Sequence, residues 1–175
     1  MFCVCENSWK ICFAAKDVDV TEWKGDILAV GVTEKDLAKD ANSRFENVIL
    51  SKIDSKLGGL LAEASSEEDF SGKVGQSTVL RITGLGSKRV SLIGLGQLSS
   101  TPAPFKGLGE AVVAAAKSSQ ASSVAVVLAS SEGLSAPSKL STAYAIASGI
   151  GFVVCICLKC IEACDFVVML DDVWA

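Results

Sequence analysis

The sequence predicts an α/β domain in which helices cover both faces of a central sheet. Two observations lead to this prediction. Short runs rich in Val, Ile and Ala recur along the chain, and such runs suit strands that are buried on both faces. Between them lie longer segments in which apolar residues repeat every three or four positions, as on one face of a helix. With 175 residues, the chain is sized for one domain with a substantial core.

The predicted strands are short apolar runs. They span residues 11–18, 26–32, 76–82, 89–93 and 122–128. The most continuously apolar stretches are expected to be the central strands, since a central strand is covered on both faces; these are 27–32, 79–82, 90–93 and 124–128.

Three helical patterns lie between or after these strands. The first opens at Asn47, a residue type that caps helix N-termini, and continues without a break to about Ala64. The second follows Gly107 and Gly109, and the third begins near Ser138. Helices of this length, alternating with strands, are expected to pack on the two faces of the sheet.

Composition and charge exclude several kinds of site. The chain has no histidine, which removes the usual general base and the commonest metal ligand. Its net charge is −4, and most of that charge lies after residue 149, so the middle of the chain is nearly neutral. No electrostatic footprint for nucleic acid is therefore predicted.

Glycine pairs are the only motif that resembles a phosphate-binding loop. None completes G-x-G-x-x-G, and none continues into G-K-S/T. Tight turns are therefore the preferred interpretation of all three pairs, Gly84/Gly86, Gly94/Gly96 and Gly107/Gly109.

The seven cysteines are confined to the two ends of the chain. Three precede Phe13, and four follow Val154 with a spacing that could be drawn as a metal site: Cys155, Cys157, Cys160 and Cys164. This crowding argues against a secreted disulfide framework and favours a reducing compartment. Because the later cysteines alternate with Val, Ile and Leu, buried thiols are favoured over zinc or an iron–sulfur cluster.

The segment 140–158 carries no charged residue and is long enough to be a transmembrane candidate. Its first half, however, places Leu140, Ala143, Ala147 and Ile150 on one face, with serine and threonine between them. That pattern favours a soluble helix that runs into a buried strand.

Several strings of residues are distinctive enough to indicate a family. They include AKDVDVTEWKGDILAVGVTEKDLAKD (15–40), GLGSKRVSLIGLG (84–96) and KLSTAYAIASG (139–149), with further matching stretches at 50–81 and 107–135. Together they resemble the N-terminal domain of the leucyl, or cytosol, aminopeptidase family in its plant form. The resemblance covers residues 10–149 and implies a macro-like, three-layer fold with a mixed sheet flanked by helices.

In that family the resemblance implies a second, larger domain, which binds two divalent metal ions such as zinc or manganese and releases N-terminal residues from peptides. Its signature, similar to N-T-D-A-E-G-R-L, does not occur here. No catalytic, cofactor-binding or metal-binding residue is therefore assigned, and no cofactor is predicted for this chain.

The resemblance divides the chain into a foreign extension (1–9), the family domain (10–149) and an apolar, cysteine-rich tail (150–175). The abrupt change after Gly149 is what a retained intron or a shifted reading frame would produce. Residues 153–158 and 166–170 combine β-propensity with little charge, so the tail is expected to cause aggregation. Alternatively, one of these segments fills the sheet edge left by the family's missing final strand.

The favoured interpretation is a truncated member of the family without peptidase activity. Its candidate partners are full-length subunits of this hexameric family. No plastid transit peptide is recognised, so the predicted location is the cytoplasm, with the plastid as the alternative. Two other functions stay open: a macro-like ligand-binding module, and a membrane-tethered form anchored through residues 140–158.

Overall fold

The computed structural model describes residues 2–6, 9–15, 19–97, 103–130, 136–156 and 164–169. They form a mixed sheet with helices on both faces, which confirms the predicted α/β class. In chain order the elements are β1 (Phe2–Glu6), β2 (Trp9–Ala15), β3 (Gly25–Thr33), α1 (Val48–Lys56), α2 (Leu60–Glu67), β4 (Ser77–Arg81), β5 (Ser87–Gly96), α3 (Ala103–Ser118), β6 (Ser123–Leu128), α4 (Ala136–Ile156) and β7 (Cys164–Met169).

The strand order across the described sheet is β1-β2-β7-β6-β3-β5-β4. The outer pairs β1–β2 and β4–β5 are antiparallel, and every inner pair is parallel. Helices connect β3 to the β4–β5 pair and β5 to β6, as parallel neighbours require.

The core lies on both sides of β3. Ile27 and Ala29 point into a cluster with α3 and α4, whereas Leu28, Val30 and Val32 point into a second cluster with α1 and α2. Because both faces of this strand are covered, its sequence is apolar throughout rather than alternating. The three strands β3, β5 and β6, predicted as central from the same property, are confirmed.

The prediction of a central strand at residues 79–82 is wrong. Those residues belong mostly to β4, the last strand of the described sheet. Its burial alternates: Thr78 is buried, whereas Val79 is 38% exposed and Arg81 is exposed. The short apolar run was interpreted as covered on both faces, but here it packs against helices on one face only.

The first helical pattern starts as predicted but does not continue unbroken. The Oδ1 atom of Asn47 accepts hydrogen bonds from the backbone N–H groups of Ile49 and Leu50, which confirms the predicted cap. The chain then turns at Gly58 and Gly59, whose φ angles of 69° and 92° lie in the left-handed region and end α1. A second helix, α2, follows.

The tight-turn interpretation is wrong for Gly107/Gly109, and Gly109 serves helix packing instead. Both residues lie inside α3, which begins at Ala103. A Cβ atom on Gly109 would lie 2.3 Å from the carbonyl oxygen of Ile146, and one on Gly149 would lie 2.1 Å from that of Lys106. The two helices can cross this closely only because both positions lack a side chain. By contrast Gly84, with φ of 107°, does lie in the turn between β4 and β5.

The tail contributes to the sheet. Helix α4 runs through residue 150 to Ile156, and residues 164–169 form β7, parallel to both β2 and β6. Phe166 is the register partner of Phe13 on one side and of Val124 on the other. One tail segment therefore occupies an interior position between two strands, while residues 157–163 and 170–175 lie outside the described residues.

Candidate functional site

The first candidate site is the crevice at the carboxyl ends of β3 and β6. The connection after β3 leads to one side of this strand, and the connection after β5 returns to the other side. In open α/β sheets, ligands bind at such a topological switch point. The residues that line it are Gly31, Thr33, Asp36, Leu95, Phe105, Leu128 and Ser130.

A buried carboxylate organises this crevice. The side chain of Asp36 is only 5% exposed. Its Oδ2 atom accepts hydrogen bonds from the backbone N–H and the hydroxyl of Thr33, at 2.8 and 2.7 Å. Its Oδ1 atom accepts from Asn47 Nδ2 at 2.9 Å and from the hydroxyl of Ser130. All four donors come from the protein, so the charge of the carboxylate is stabilised internally.

Asn47 joins three elements at this point. While its Oδ1 atom caps α1, its Nδ2 atom donates to Asp36 Oδ1 and, at 2.8 Å, to the carbonyl oxygen of Ala129 just after β6. The ends of β3 and β6 and the start of α1 are thus held together by one side chain. Apolar side chains fill the remaining space: a Cβ on Gly31 would lie 2.9 Å from Leu108 and 3.0 Å from Leu128. As lined by the described residues, the crevice has no free volume for a bound molecule.

Sequence analysis found Asn47 as a cap but missed the rest of this cluster. Thr33 and Asp36 stand three residues apart at the end of a buried strand. Side chains at this spacing often form hydrogen bonds with nearby backbone, so the sequence could have predicted this pair. Ser130 lies 94 residues from Asp36, and no local pattern connects the two.

A second candidate is an open groove of about 620 Å³ between α3 and the β4–β5 pair. This volume is within the range of small-molecule pockets. Ser77 and Ile93 line it on the sheet side, and Gly107 and Ala111 on the α3 side. Glu110 also lines it, and its carboxylate lies 3.9 Å from the ammonium group of Lys106.

A third cavity, of about 420 Å³, lies beside α2 and is organised by Lys39. The ammonium group donates to the carbonyl oxygen of Ala62 at 2.8 Å and to the hydroxyls of Ser65 and Ser66 at 3.2 and 2.8 Å. It also lies 5.2 Å from the centre of the Phe45 ring. These contacts use all three ammonium hydrogens, so Lys39 holds the loop after β3 against α2.

Two further aspartates, Asp26 and Asp19, form structural ion pairs and hydrogen bonds. The pKa of Asp26 is held well below its usual range, first by the ammonium group of Lys88 at 2.6 Å and then by the backbone N–H of Ser122. The pKa of Asp19 is lowered by Lys52, also at 2.6 Å, and by Thr21. Asp26 therefore ties together the amino ends of β3, β5 and β6.

Within the described residues, the acidic groups do not form a two-metal site of the kind that the resemblance places in the second domain of the family. Among the residues whose side chains are described, Asp36 and Asp54 are the buried aspartates, and each accepts hydrogen bonds from protein donors. Asp54 Oδ1 accepts from the backbone N–H groups of Leu61 and Ala62 at the start of α2. Over the described part of the chain, no group of three or more Cys, Asp or Glu residues could hold a metal ion. The four cysteines of the spacing 155–164 all lie outside the residues whose side chains are described. The assignment of no catalytic or metal-binding residue stays a prediction.

No helix within the described ranges is both long and apolar enough to cross a bilayer.

Comparison with known families identifies the domain. Residues 29–151 match the model described as "Cytosol aminopeptidase family, N-terminal domain". This match begins within β3 and ends within α4, and it includes the carboxyl ends of β3 and β6 at the crevice.

Curated relatives extend the match. Leucine aminopeptidase 2, chloroplastic, and leucine aminopeptidase 3, chloroplastic, both of Arabidopsis thaliana, are 75% identical over 140 residues, or 80% of this chain and 24% of each relative. The neutral leucine aminopeptidase, chloroplastic, of Solanum lycopersicum is 66% identical over 80% of this chain and 25% of its own length. The chain thus spans about a quarter of the length of the relatives it matches.

These relatives correct the predicted location. All three are named as chloroplastic proteins, so the prediction of a cytoplasmic protein is wrong. The lack of a recognisable transit-peptide pattern is a weaker signal than the names of relatives at this identity.

Solved structures support the fold. A mutant tomato leucine aminopeptidase is similar with a TM-score of 0.84 at 45% identity, over 95% of this chain and 34% of that one. Residues 1–149 make up less than nine tenths of the chain, so a match of this extent includes part of the tail.

A Trypanosoma brucei macrodomain is similar with a TM-score of 0.66 at 14% identity, over 95% of this chain and 64% of that one. At this identity the likeness shows the macro-like fold alone, and it gives no support to a ligand-binding function. The family is shown instead by the match over 29–151 and by the identity to the plant enzymes. This chain belongs to the cytosol aminopeptidase family, of which it carries the N-terminal domain.

Proposed function

We propose that this domain is the non-catalytic N-terminal part of a plant leucine aminopeptidase and that the chain of 175 residues does not hydrolyse peptides by itself. The family match and the high identity to plant leucine aminopeptidases support the first part. The activity named in those relatives would then reside in the three quarters of their length that this chain does not span.

The observation that carries the second part is the use of the buried carboxylates. Hydrolysis by two metal ions requires several acidic side chains that converge on metals about 3.5–4 Å apart. Here Asp36 and Asp54 instead accept hydrogen bonds from backbone and side-chain donors of their own surroundings. Freeing either carboxylate for a metal would leave buried donors without acceptors.

The proposed partners are the subunits of a larger aminopeptidase, and the proposed location is the plastid, in line with the names of the relatives. In this role the domain supplies a rigid, macro-like body on which other parts of such an enzyme pack. No nucleic-acid partner is proposed, because the net charge of −4 does not favour one.

The test of activity uses the full chain, purified from a host that lacks its own leucyl aminopeptidase. Release of leucine from a chromogenic leucyl amide is measured with added Mn²⁺ or Zn²⁺. We expect no turnover above that of a mock purification from the same host. Metal-dependent turnover that co-elutes with the 18.2 kDa chain would place the active site in this domain and refute the proposal.

Assembly is tested separately by co-expressing the tagged chain with an untagged full-length plant relative. We expect the relative to co-purify through the tag and the complex to elute earlier than the chain alone in size-exclusion chromatography. The tag fused to an unrelated protein is the control. Failure to co-purify would contradict the proposed partner while leaving the assay of activity unaffected.

A further inference from the structure

The outer edge of β4 is open for pairing. β4 pairs with β5 and has no strand on its other side in the described sheet. Two bonds fix the ladder: Gly94 N–H donates to Gln76 O, and Ile82 N–H donates to Lys88 O. Since bonded and non-bonded positions alternate in an antiparallel pair, residues 76, 78, 80 and 82 bond to β5. The backbone groups of Ser77, Val79 and Arg81 therefore point to the open edge.

Two arginines lie side by side next to this edge. Arg81 and Arg89 are direct register partners at a non-bonded position of the β4–β5 pair. At such positions the Cα atoms are about 4.5 Å apart and the side chains leave the same face. Two like charges directly opposite each other destabilise a sheet. Within the described residues, neither guanidinium group has a salt bridge or a side-chain hydrogen bond.

The same face of β4 is apolar next to the arginines and leads into the open groove. Helix α3 covers Ile93 and Leu95 of β5 but leaves Val79 38% exposed. Ser77 belongs to the groove of about 620 Å³, and Val74, which also lines it, is 71% exposed. Glu110 stands on the α3 side of this groove, beyond Ser77. The face is thus positive at one end and apolar in the middle, and it leads to a groove in which Glu110 lies 3.9 Å from the ammonium group of Lys106.

We propose that the edge of β4 binds an extended peptide segment of a partner protein that carries carboxylate side chains. The segment pairs its backbone with Ser77, Val79 and Arg81 and adds a strand to the sheet. Its carboxylates lie between the guanidinium groups of Arg81 and Arg89, where a planar, charge-assisted pair of hydrogen bonds removes the repulsion between the two arginines. An apolar side chain of the segment covers Val79.

The charges favour such a segment over a second copy of the chain. Two antiparallel β4 strands centred on Val79 would place Arg81 opposite Ser77 of the second copy. That arrangement brings no carboxylate to Arg81 or Arg89, so the repulsion between the two arginines of each copy remains. This proposal does not depend on the proposed function. Either one can therefore fail while the other holds.

The probe is a fluorescein-labelled hexapeptide, Val-Thr-Glu-Thr-Glu-Thr, which places its valine and both glutamates on one face of an extended strand. It is added to the full chain, and binding is followed by fluorescence anisotropy. We expect saturable binding that weakens at least ten-fold when NaCl is raised from 50 to 500 mM, because the contact is between exposed charges. The same peptide with lysine in place of glutamate is expected not to bind.

Three variants separate the charge from the backbone contact. Arg81→Gln combined with Arg89→Gln should weaken binding at least ten-fold. Val79→Pro should do the same, since proline removes an edge N–H group while the bonds of β4 to β5 remain. Arg44→Gln, a change of an exposed arginine outside β4, is the matched control and should alter binding less than two-fold. Thermal melts establish that each variant is folded.

Two outcomes overturn the proposal. One is that the glutamate peptide does not bind the folded chain at millimolar concentration, or binds it equally well when Arg81 and Arg89 are replaced. The other is that sedimentation shows a dimer of the chain that Val79→Pro dissociates, which would make a second copy the occupant. If Val79→Pro fails to fold, the arginine variants still decide the matter.

Discussion

Gly109 of α3 and Gly149 of α4 face each other where the two helices cross. A Cβ on Gly149 would lie 3.2 Å from the Cα of Gly109 and 2.1 Å from the carbonyl oxygen of Lys106. The obstacle is backbone, which cannot rotate away as a side chain can. The crossing therefore depends on both positions being glycine, and it brings Ile146 and Ile150 into the core beside β3.

Gly149→Ala is expected to destabilise the chain by about 1–3 kcal/mol, because the added methyl group overpacks the helix crossing. Gly151→Ala is the matched control, since a Cβ at this position in the same helix meets nothing within 4 Å. That change should stabilise by about 0.5–1 kcal/mol through helix propensity. Urea unfolding of both variants checks this. Equal effects of the same sign would show that the helices do not cross as described.

Asp36→Ala is expected to lower the free energy of unfolding by about 2–3 kcal/mol, because Thr33, Asn47 and Ser130 lose their shared acceptor in a buried site. Glu34→Ala, a change of an exposed carboxylate two residues earlier, should change stability by less than about 0.5 kcal/mol. Denaturant titration measures both. A result in which Glu34 matters more than Asp36 would contradict the described network.

Asp26 should make stability depend on pH in the acid range. Its pKa is lower in the folded chain than the ordinary value of 3.8, chiefly because of Lys88. The unfolded chain therefore binds a proton first, and the stabilisation is complete above about pH 4 and is lost as the pH falls below it.

Replacing Asp26 by asparagine should flatten the dependence of stability on pH below about pH 4, whereas Lys88→Met should raise the pKa of Asp26 toward its usual value. Urea unfolding at a series of pH values, with the wild type in parallel, provides the measurement. Any pH dependence of stability that remains in Asp26→Asn is ascribed to Asp19 and Asp40, whose pKa values are also lowered. If stability depends on pH equally in Asp26→Asn and in the wild type, the role given to Asp26 is refuted.

Removal of the tail should destabilise the domain. Sequence analysis expected the tail to promote aggregation, but β7 lies between β2 and β6 and pairs with both. A chain that ends at Gly149 would expose the edge of β6 and leave β2 paired with β1 alone. We expect this chain to have a lower melting temperature and lower solubility than the full chain. A more soluble and more stable shortened chain would instead support the sequence-based expectation.

Local sequence patterns predicted the parts of the fold that depend on local properties. Apolar runs located β3, β5 and β6, and Asn47 marked the start of α1. The same patterns failed where the outcome depends on distant partners. They could not distinguish the edge strand β4 from a central one, because its burial depends on which helices reach it. They also could not show that Gly107 and Gly109 lie within a helix, since the reason for Gly109 is contact with Gly149, 40 residues later.

The candidate site was less predictable than the fold for the same reason. Asp36 and Asn47 are 11 residues apart, but their contacts with Ala129 and Ser130 form only when β6 lies beside β3. The two arginines beside the open edge follow from the register of β4 on β5. A glycine-containing turn predicts such a pair of strands but does not define which residues face each other.

The span of the Asn47 and Asp36 contacts has a kinetic consequence. The cap bonds of Asn47 reach two and three residues along the chain, whereas the bonds to Ala129 and Ser130 close loops of 82 and 94 residues. Closing a loop of that length costs conformational entropy before any contact forms. The long-range bonds should therefore form after the transition state. Loss of the Ser130 hydroxyl should then accelerate unfolding and leave the refolding rate nearly unchanged. The hydrogen bonds at the crevice between the ends of β3 and β6 would then set the unfolding rate of the native state.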